Sequence, residues 1–328
     1  MYQMMSLPLY SGTFQEYDSW RDLGQELERL GCDGIEGVWG GEDLPKDLPA
    51  ELILGYHLIF YPDWLDFYRD DRAALKQKFG SLEAVASFYG GLGPDTLLEQ
   101  YRADLRRAVN LGARYVVFHV SDVSLEEGYT YRWLHTNQEV IDAAVEVVNL
   151  ILGEERWPFE FLVENQWWPG FTFTEPEETA RLLDGIRFAG KGILLDTGHL
   201  MNACTELKTE AEGADYIRSM LNRHGSLAKW VRGVHLHQSL SGAYVKAHTG
   251  SLPAGLPEDY MERFGVSYQH ILQINQHRPW TDPAILPVLE QIEPRYLTHE
   301  LSSRGRMARA EAVSIQTRLL RQGGRMRV

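Results

Sequence analysis

The chain has 328 residues, 44% hydrophobic and 24% charged, with a formal net charge of −14. That size suits one large domain or two ordinary ones, and the balance is that of a globular protein. Nucleic-acid affinity rests on clustered Lys and Arg, so the acidic surplus argues against a DNA or RNA partner. Two cysteines, Cys32 and Cys204, cannot build a disulfide framework, and no apolar run reaches the roughly 18 residues a membrane helix needs. The opening "MYQMMSLPLY" lacks a charged stretch followed by an apolar one, so a cytoplasmic protein with reduced thiols is expected.

Along the chain two hydrophobic periods alternate. A β-rich run at "LPLYSG" leads into the helical "WRDLGQELERLG" and then the strand "DGIEGVW". A short Pro-rich connection, "EDLPKDLPAE", leaves room only for a degenerate helix before the strand "LILGYHLIF". Next come the helix "PDTLLEQYRADLRRAVNLGA", the strand "RYVVFHVS", the helix "NQEVIDAAVEVVNLILG" and the strand "FEFLVENQW". The series closes with "PEETARLLDGIRFA", "GILLDTGH", "DYIRSMLNRHG", "VRGVHLHQ", "DPAILPVLEQIEP" and "RYLTHEL". The helical runs place apolar residues at i, i+3 and i+4, whereas the strand runs are short and β-branched. Eight strands alternating with helices predict a single (β/α)₈ barrel domain over residues 1–328. An open doubly wound sheet is the competitor, but no Gly-rich phosphate turn follows the first strand. The basic tail "LSSRGRMARAEAVSIQTRLLRQGGRMRV" reads as a solvated amphipathic C-terminal helix.

A barrel carries its chemistry at the C-terminal ends of its strands. Those ends are Glu36, His57, His119, Glu164, Asp196 with His199, His235 with His237, and Glu300, and His248 follows in the loop "VKAHTGSLPAG". Six of the 11 histidines fall at these places. Taken singly, a histidine there is more often a hydrogen-bonded structural residue, and a carboxylate more often a helix cap. Yet Glu164 follows "FEFLV" and Glu300 follows "RYLTH", which would bury both carboxylates, and a buried carboxylate needs a proton or a cation. Lys246 and Arg304 are the nearest cationic side chains. A divalent metal is the economical partner.

The set "LVENQWW", "LLDTGHLMN", "VRGVHLHQS" and "YLTHELS" resembles the xylose-isomerase-like barrel superfamily, which includes sugar epimerases, inosose dehydratases and endonuclease IV. The resemblance runs from Glu36 to Glu300 and implies Glu164, Asp196, His235 and Glu300 as ligands of one divalent ion (Mn, Zn, Mg or Co). His237 shares a strand face with His235 and could take its place; the family pattern favours His235. His57, His119, His199, His235 and His248 all have counterparts in the endonuclease IV branch, where those of His57, His119 and His248 bind further zinc ions, and the resemblance makes His199 and His248 additional ligand candidates. The acidic residue that precedes the loop histidine by two in that branch is Lys246 here, and a protonated lysine cannot ligate a cation.

The expectation is therefore a site of one or two metals acting on a small sugar or polyol, in a monomer or a homo-oligomer. Glu164 and Glu300 would exchange protons with two faces of a substrate carbon. His57, His119, His199 and His237 would meet the substrate, with Trp39 and Trp167, and their neighbour Trp168, stacking on its apolar face. A metal-dependent phosphodiesterase or other hydrolase, and a barrel that binds sugar or metal without turnover, are the alternatives.

Overall fold

The structure is a computed structural model that describes residues 1–323. Eight parallel strands, β1 (Tyr2–Leu9), β2 (Gly34–Trp39), β3 (Ile53–His57), β4 (Tyr115–His119), β5 (Glu160–Glu164), β6 (Lys191–Asp196), β7 (Val231–His235) and β8 (Tyr296–His299), pair in sequence order and close β8 onto β1. This is the (β/α)₈ barrel that the alternation of periods predicts. Among the described residues, no helix is long and apolar enough to cross a membrane.

The local differences from the sequence reading have identifiable causes. β1 begins five residues before "LPLYSG", because Met4, Met5 and Leu7 are all buried and a strand buried on both faces shows no alternation. The second connection does hold only one turn of 3₁₀ helix, Ala50–Leu52. The third is far richer than its single expected helix. Leu65–Tyr68, Arg72–Phe79 and Leu82–Tyr89 precede Pro94–Asn110, each too short to display a helical stripe. The helices Gly242–His248 and Tyr260–Ile274, after β7, are equally hidden from the sequence.

The tail helix, Arg306–Gln322, is not solvated along its length. Val313 and Leu320 are buried, and the fully buried Gln316 donates to Leu236 O and accepts from Trp280 N. Its Arg306 pairs with Asp22 and Glu26 of the helix Trp20–Leu30, so a basic residue here signals docking rather than solvent. The last five residues of that tail lie outside the described part.

Inside the barrel the two-residue period of a strand sorts side chains into layers. Tyr115, Val117, Leu162, Leu194 and Tyr296 form an apolar floor, with the Tyr115 and Tyr296 rings stacked at 4.3 Å. One step further along the same faces come Glu164, Asp196, His235 and Thr298, all fully buried. Tyr115 reaches up from the floor and donates its hydroxyl to Glu36 at 2.6 Å. The ring fits only because residue 55 lacks a side chain: a Cβ on Gly55 would lie 2.3 Å from Tyr115 Cζ.

Gly55→Ala is therefore expected to destabilise the fold by about 1–3 kcal/mol, the cost of overpacking a core whose neighbours cannot shift. Urea unfolding of the variant beside the parent measures it, and an unchanged midpoint would contradict this packing.

Candidate metal centre

Because the strands are staggered around a closed ring, their ends converge, and single atoms of Glu164, Asp196, His235 and Glu300 all lie within 4.8 Å of one another. Each is held by its own local structure. Asp196 ends β6 and caps the short helix Thr197–Asn202, accepting from His199 N at 2.6 Å. Its backbone is clamped by Asn165, which follows Glu164, through bonds of 2.8 and 3.1 Å.

His235 has its outer nitrogen committed: Nε2 lies 2.8 Å from Glu36 Oε1. Glu36 also accepts from the hydroxyls of Tyr115 and Thr298 (2.6 and 3.0 Å), so this buried carboxylate is fully satisfied and fixes the tautomer of the ring. His235 Nδ1 is left facing Glu300 Oε2, Glu164 Oε1 and Asp196 Oδ2 at 3.2, 3.4 and 3.7 Å. It has no hydrogen-bond partner, and the same is true of both Glu164 oxygens and of Glu300 Oε2. Orphaned acceptors of this kind, buried together, are costly unless a cation fills the space between them. The donor set fits a divalent ion on this ground.

Two further groups flank the first. His57, His119 and Glu164 bring ligand atoms equally close, as do His199, His237 and His277. His57 Nδ1–H donates to Leu58 O at 2.8 Å, which turns Nε2 toward His119 Nε2 (3.0 Å) and Glu164 Oε2 (3.4 Å). His277 Nδ1–H donates to Glu300 O at 3.0 Å, and its ring stacks on that of His237 at 4.0 Å. His237 Nε2 meets Asp196 Oδ2 at 2.8 Å. That approach depends on Gly198, where a Cβ would stand 2.0 Å from the imidazole.

The residues expected from sequence divide accordingly. His235 sits in the group with the three carboxylates, and His237 in the trihistidine group. His57, His119, His199, Trp167 and Trp168 line a cavity of about 710 Å³ that opens over the strand ends. Trp39 does not line it: Arg107 lies 3.6 Å above its ring and its indole donates to Glu42 O. His248 is exposed at the end of its helix, stacked on Tyr244 and bonded to Tyr244 O, away from all three groups. Lys246, its neighbour, pairs with Glu206. Sequence reading missed His277 and Asn275, whose amide contacts His199 Nε2 at 2.8 Å. They lie in an irregular stretch, "NQHRPW", between a helix and a turn, where no strand end points to them.

Protonation follows from the crowding. Burial works to raise Glu164, but His119 and His235 overcome it and hold the carboxyl well below its ordinary range; His235 and His277 do the same for Glu300. Burial drives His237 down to about 3 and His277 to about 4, leaving neutral imidazoles suited to ligation.

A scan of family models matches residues 25–289 to the xylose isomerase-like TIM barrel. The chain belongs to that family. β1 and Glu300 fall outside the matched stretch. No curated protein matches the chain by sequence. Among solved structures, endonuclease IV from Thermus thermophilus is similar over 98% of this chain and 100% of its own, at 15% identity and a TM-score of 0.53. A D-tagatose 3-epimerase-like protein covers 99% of this chain and 98% of its own, at 15% identity and 0.51. The IolI protein, solved with a zinc atom, covers 98% of each, at 16% and 0.51. At such identities the likeness is one of fold.

Protons and a cation would compete for the same atoms. Burial, with the Glu164 and Glu300 carboxylates, pushes Asp196 up to about 7 against the pull of His199. Burial opposes the proton on His199, but Asp196 and Glu164 win and raise it to about 9. Both folded values exceed those of the unfolded chain, so the bound protons stabilise the metal-free fold at low pH, and that contribution is lost as pH rises through about 7 and then about 9. The shift in melting temperature produced by added Mn²⁺ should therefore grow over that window. Thermal melts with chelator and with Mn²⁺ at stepped pH check this; a shift that is constant or shrinks as pH rises would contradict it.

Proposed function

We propose that this protein is a divalent-metal-dependent isomerase or epimerase of a sugar or polyol, working by proton transfer through an enediolate. The observation that carries the reading is the placement of Glu164 and Glu300. Their oxygens lie 3.4 and 3.2 Å from His235 Nδ1, and Glu300 lines a cavity that carries several aromatic rings. Glu164, Asp196, His235 and Glu300 would hold the ion, and such an oxygen-rich set with one imidazole suits Mn²⁺, Mg²⁺, Zn²⁺ or Co²⁺. The ion supplies polarisation of a substrate carbonyl and its neighbouring hydroxyl, which makes the adjacent C–H acidic.

The remaining steps belong to the side chains. One carboxylate takes the proton from the carbon beside the carbonyl. The other, ionised in the empty site, would take up a proton from solvent as substrate binds and return it to the opposite face, and in the reverse direction the two exchange roles. His199, which lines the cavity and is held by Asn165 O and Asn275, would meet a substrate hydroxyl by giving up its contact with Asn275. Trp167 and Trp168, with ring centroids 4.2 Å apart, wall off one side and exclude water from the reacting carbon.

The flanking His57–His119–Glu164 and trihistidine groups favour a second reading, a metal-dependent hydrolase of phosphodiesters. Against it stands the net charge of −14. The isomerase reading expects solvent deuterium to enter the C–H position of a ketose that turns over, as followed by NMR. Glu164→Gln and Glu300→Gln should each lower that exchange by roughly 10²–10⁴-fold, in keeping with loss of a general base. Cleavage of abasic DNA without exchange would point to the hydrolase, and full activity in both variants would remove the pair from the mechanism.

A further inference from the structure

The cavity is larger and more apolar than a sugar ring requires. Its volume of about 710 Å³ falls within the range of sites that enclose drug-sized ligands, roughly 300–1,000 Å³. Its floor is the polar layer of strand ends. Its outer walls come from segments beyond the eightfold plan, the stretch after β3 and the helix Tyr260–Ile274. From the first, Phe60 stands 49% exposed with its ring 4.5 Å from that of His119. From the second, Tyr268 is 52% exposed, with Phe264 and Ile271 lining the same wall. Apolar rings left in water at the mouth of a cavity gain free energy when a ligand covers them.

The charge of the lining is equally specific. Among the described residues lining the cavity, Arg309 alone is a Lys or Arg, and its guanidinium is engaged with Glu16 and the Tyr17 hydroxyl. Among the described residues no Lys and no second Arg lines it to receive a phosphate. Neutral polar side chains line it instead, among them Gln166, Asn275, Ser302 and Ser303. These suit hydroxyl or ether oxygens.

We infer that the substrate is an unphosphorylated sugar carrying an uncharged apolar substituent, with its hydroxylated ring at the strand ends and the substituent between Phe60 and the helix Tyr260–Ile274. This rests on the sugar-directed reading above and narrows its substrate class. Isothermal titration of the Mn²⁺-loaded protein with phenyl β-D-glucopyranoside, D-glucose and D-glucose 6-phosphate tests it without requiring turnover. The phenyl glucoside should bind about tenfold or more tightly than glucose, the gain expected from covering an apolar ring, and the phosphate should give no advantage. Phe60→Ala combined with Tyr268→Ala, both exposed positions at the rim, should abolish the phenyl preference. Tightest binding of the 6-phosphate, equal affinities, no binding of the phenyl glucoside at millimolar concentration, or a preference retained in the double variant would each overturn the inference. None of those outcomes alters the deuterium-exchange result, so failure of this inference and failure of the isomerase reading are distinguishable.

Discussion

The carboxylate of Glu164 is the constraint on which the site depends. It is fully buried, neither oxygen has a hydrogen-bond donor, and its neighbours are the imidazoles of His57, His119, His199 and His235 at 3.1–3.4 Å. A carboxylate taken out of water must be compensated by several kcal/mol of local interaction. Four imidazoles supply that only by carrying protons, and a divalent ion supplies it without them. Asp196 and Glu300 add negative charge to the same few ångströms, so the case for a cation grows with each. Glu36 marks the contrast: equally buried, it receives hydroxyls from Tyr115 and Thr298 and pairs with His235 Nε2. Its part is to orient a ring rather than to seek a cation.

The barrel makes this concentration of charge tolerable. Below the polar layer lies a packed floor, Tyr115 on Tyr296 with Leu162 and Leu194, which excludes water and fixes the strand ends. The outer faces of the same strands are buried under helices. His299, one residue from Glu300, points that way and meets Gln316 of the C-terminal helix and Gln3 of β1. A one-residue change of register would exchange a ligand candidate for a core residue. Rigidity here serves function, since a metal site tolerates little displacement of its donors.

Much of this was legible in the sequence, for a physical reason. A strand buried on both faces and stopped by a charged residue, as in "FEFLVE" and "GILLD", has few explanations in a barrel other than a site at its end. Glu164, Asp196 and His235 could be found that way, and Glu300 one residue past its strand. Period alone could not separate His235 from His237, which face the same side; the second nitrogen of each ring decides, and that depends on Glu36 and Asp196, distant in sequence. His277 and Asn275 carry no periodic signal at all. Trp39 and His248 mislead for the opposite reason: their positions along the chain are right, but Arg107 covers one and a helix carries the other out to solvent. Loop conformation is set by tertiary contacts, such as Asp122 receiving the backbone of Trp64 and Leu65, that leave no local trace.

What remains to be tested is whether the unpartnered atoms of Glu164, His235 and Glu300, with the Asp196 carboxylate beside them, share one cation. Anomalous diffraction at the manganese edge, from crystals grown with Mn²⁺, addresses it directly. The account predicts a peak bounded by the carboxylates of Glu164, Asp196 and Glu300 and by Nδ1 of His235. No peak at that point, or manganese bound only elsewhere on the protein, would contradict it.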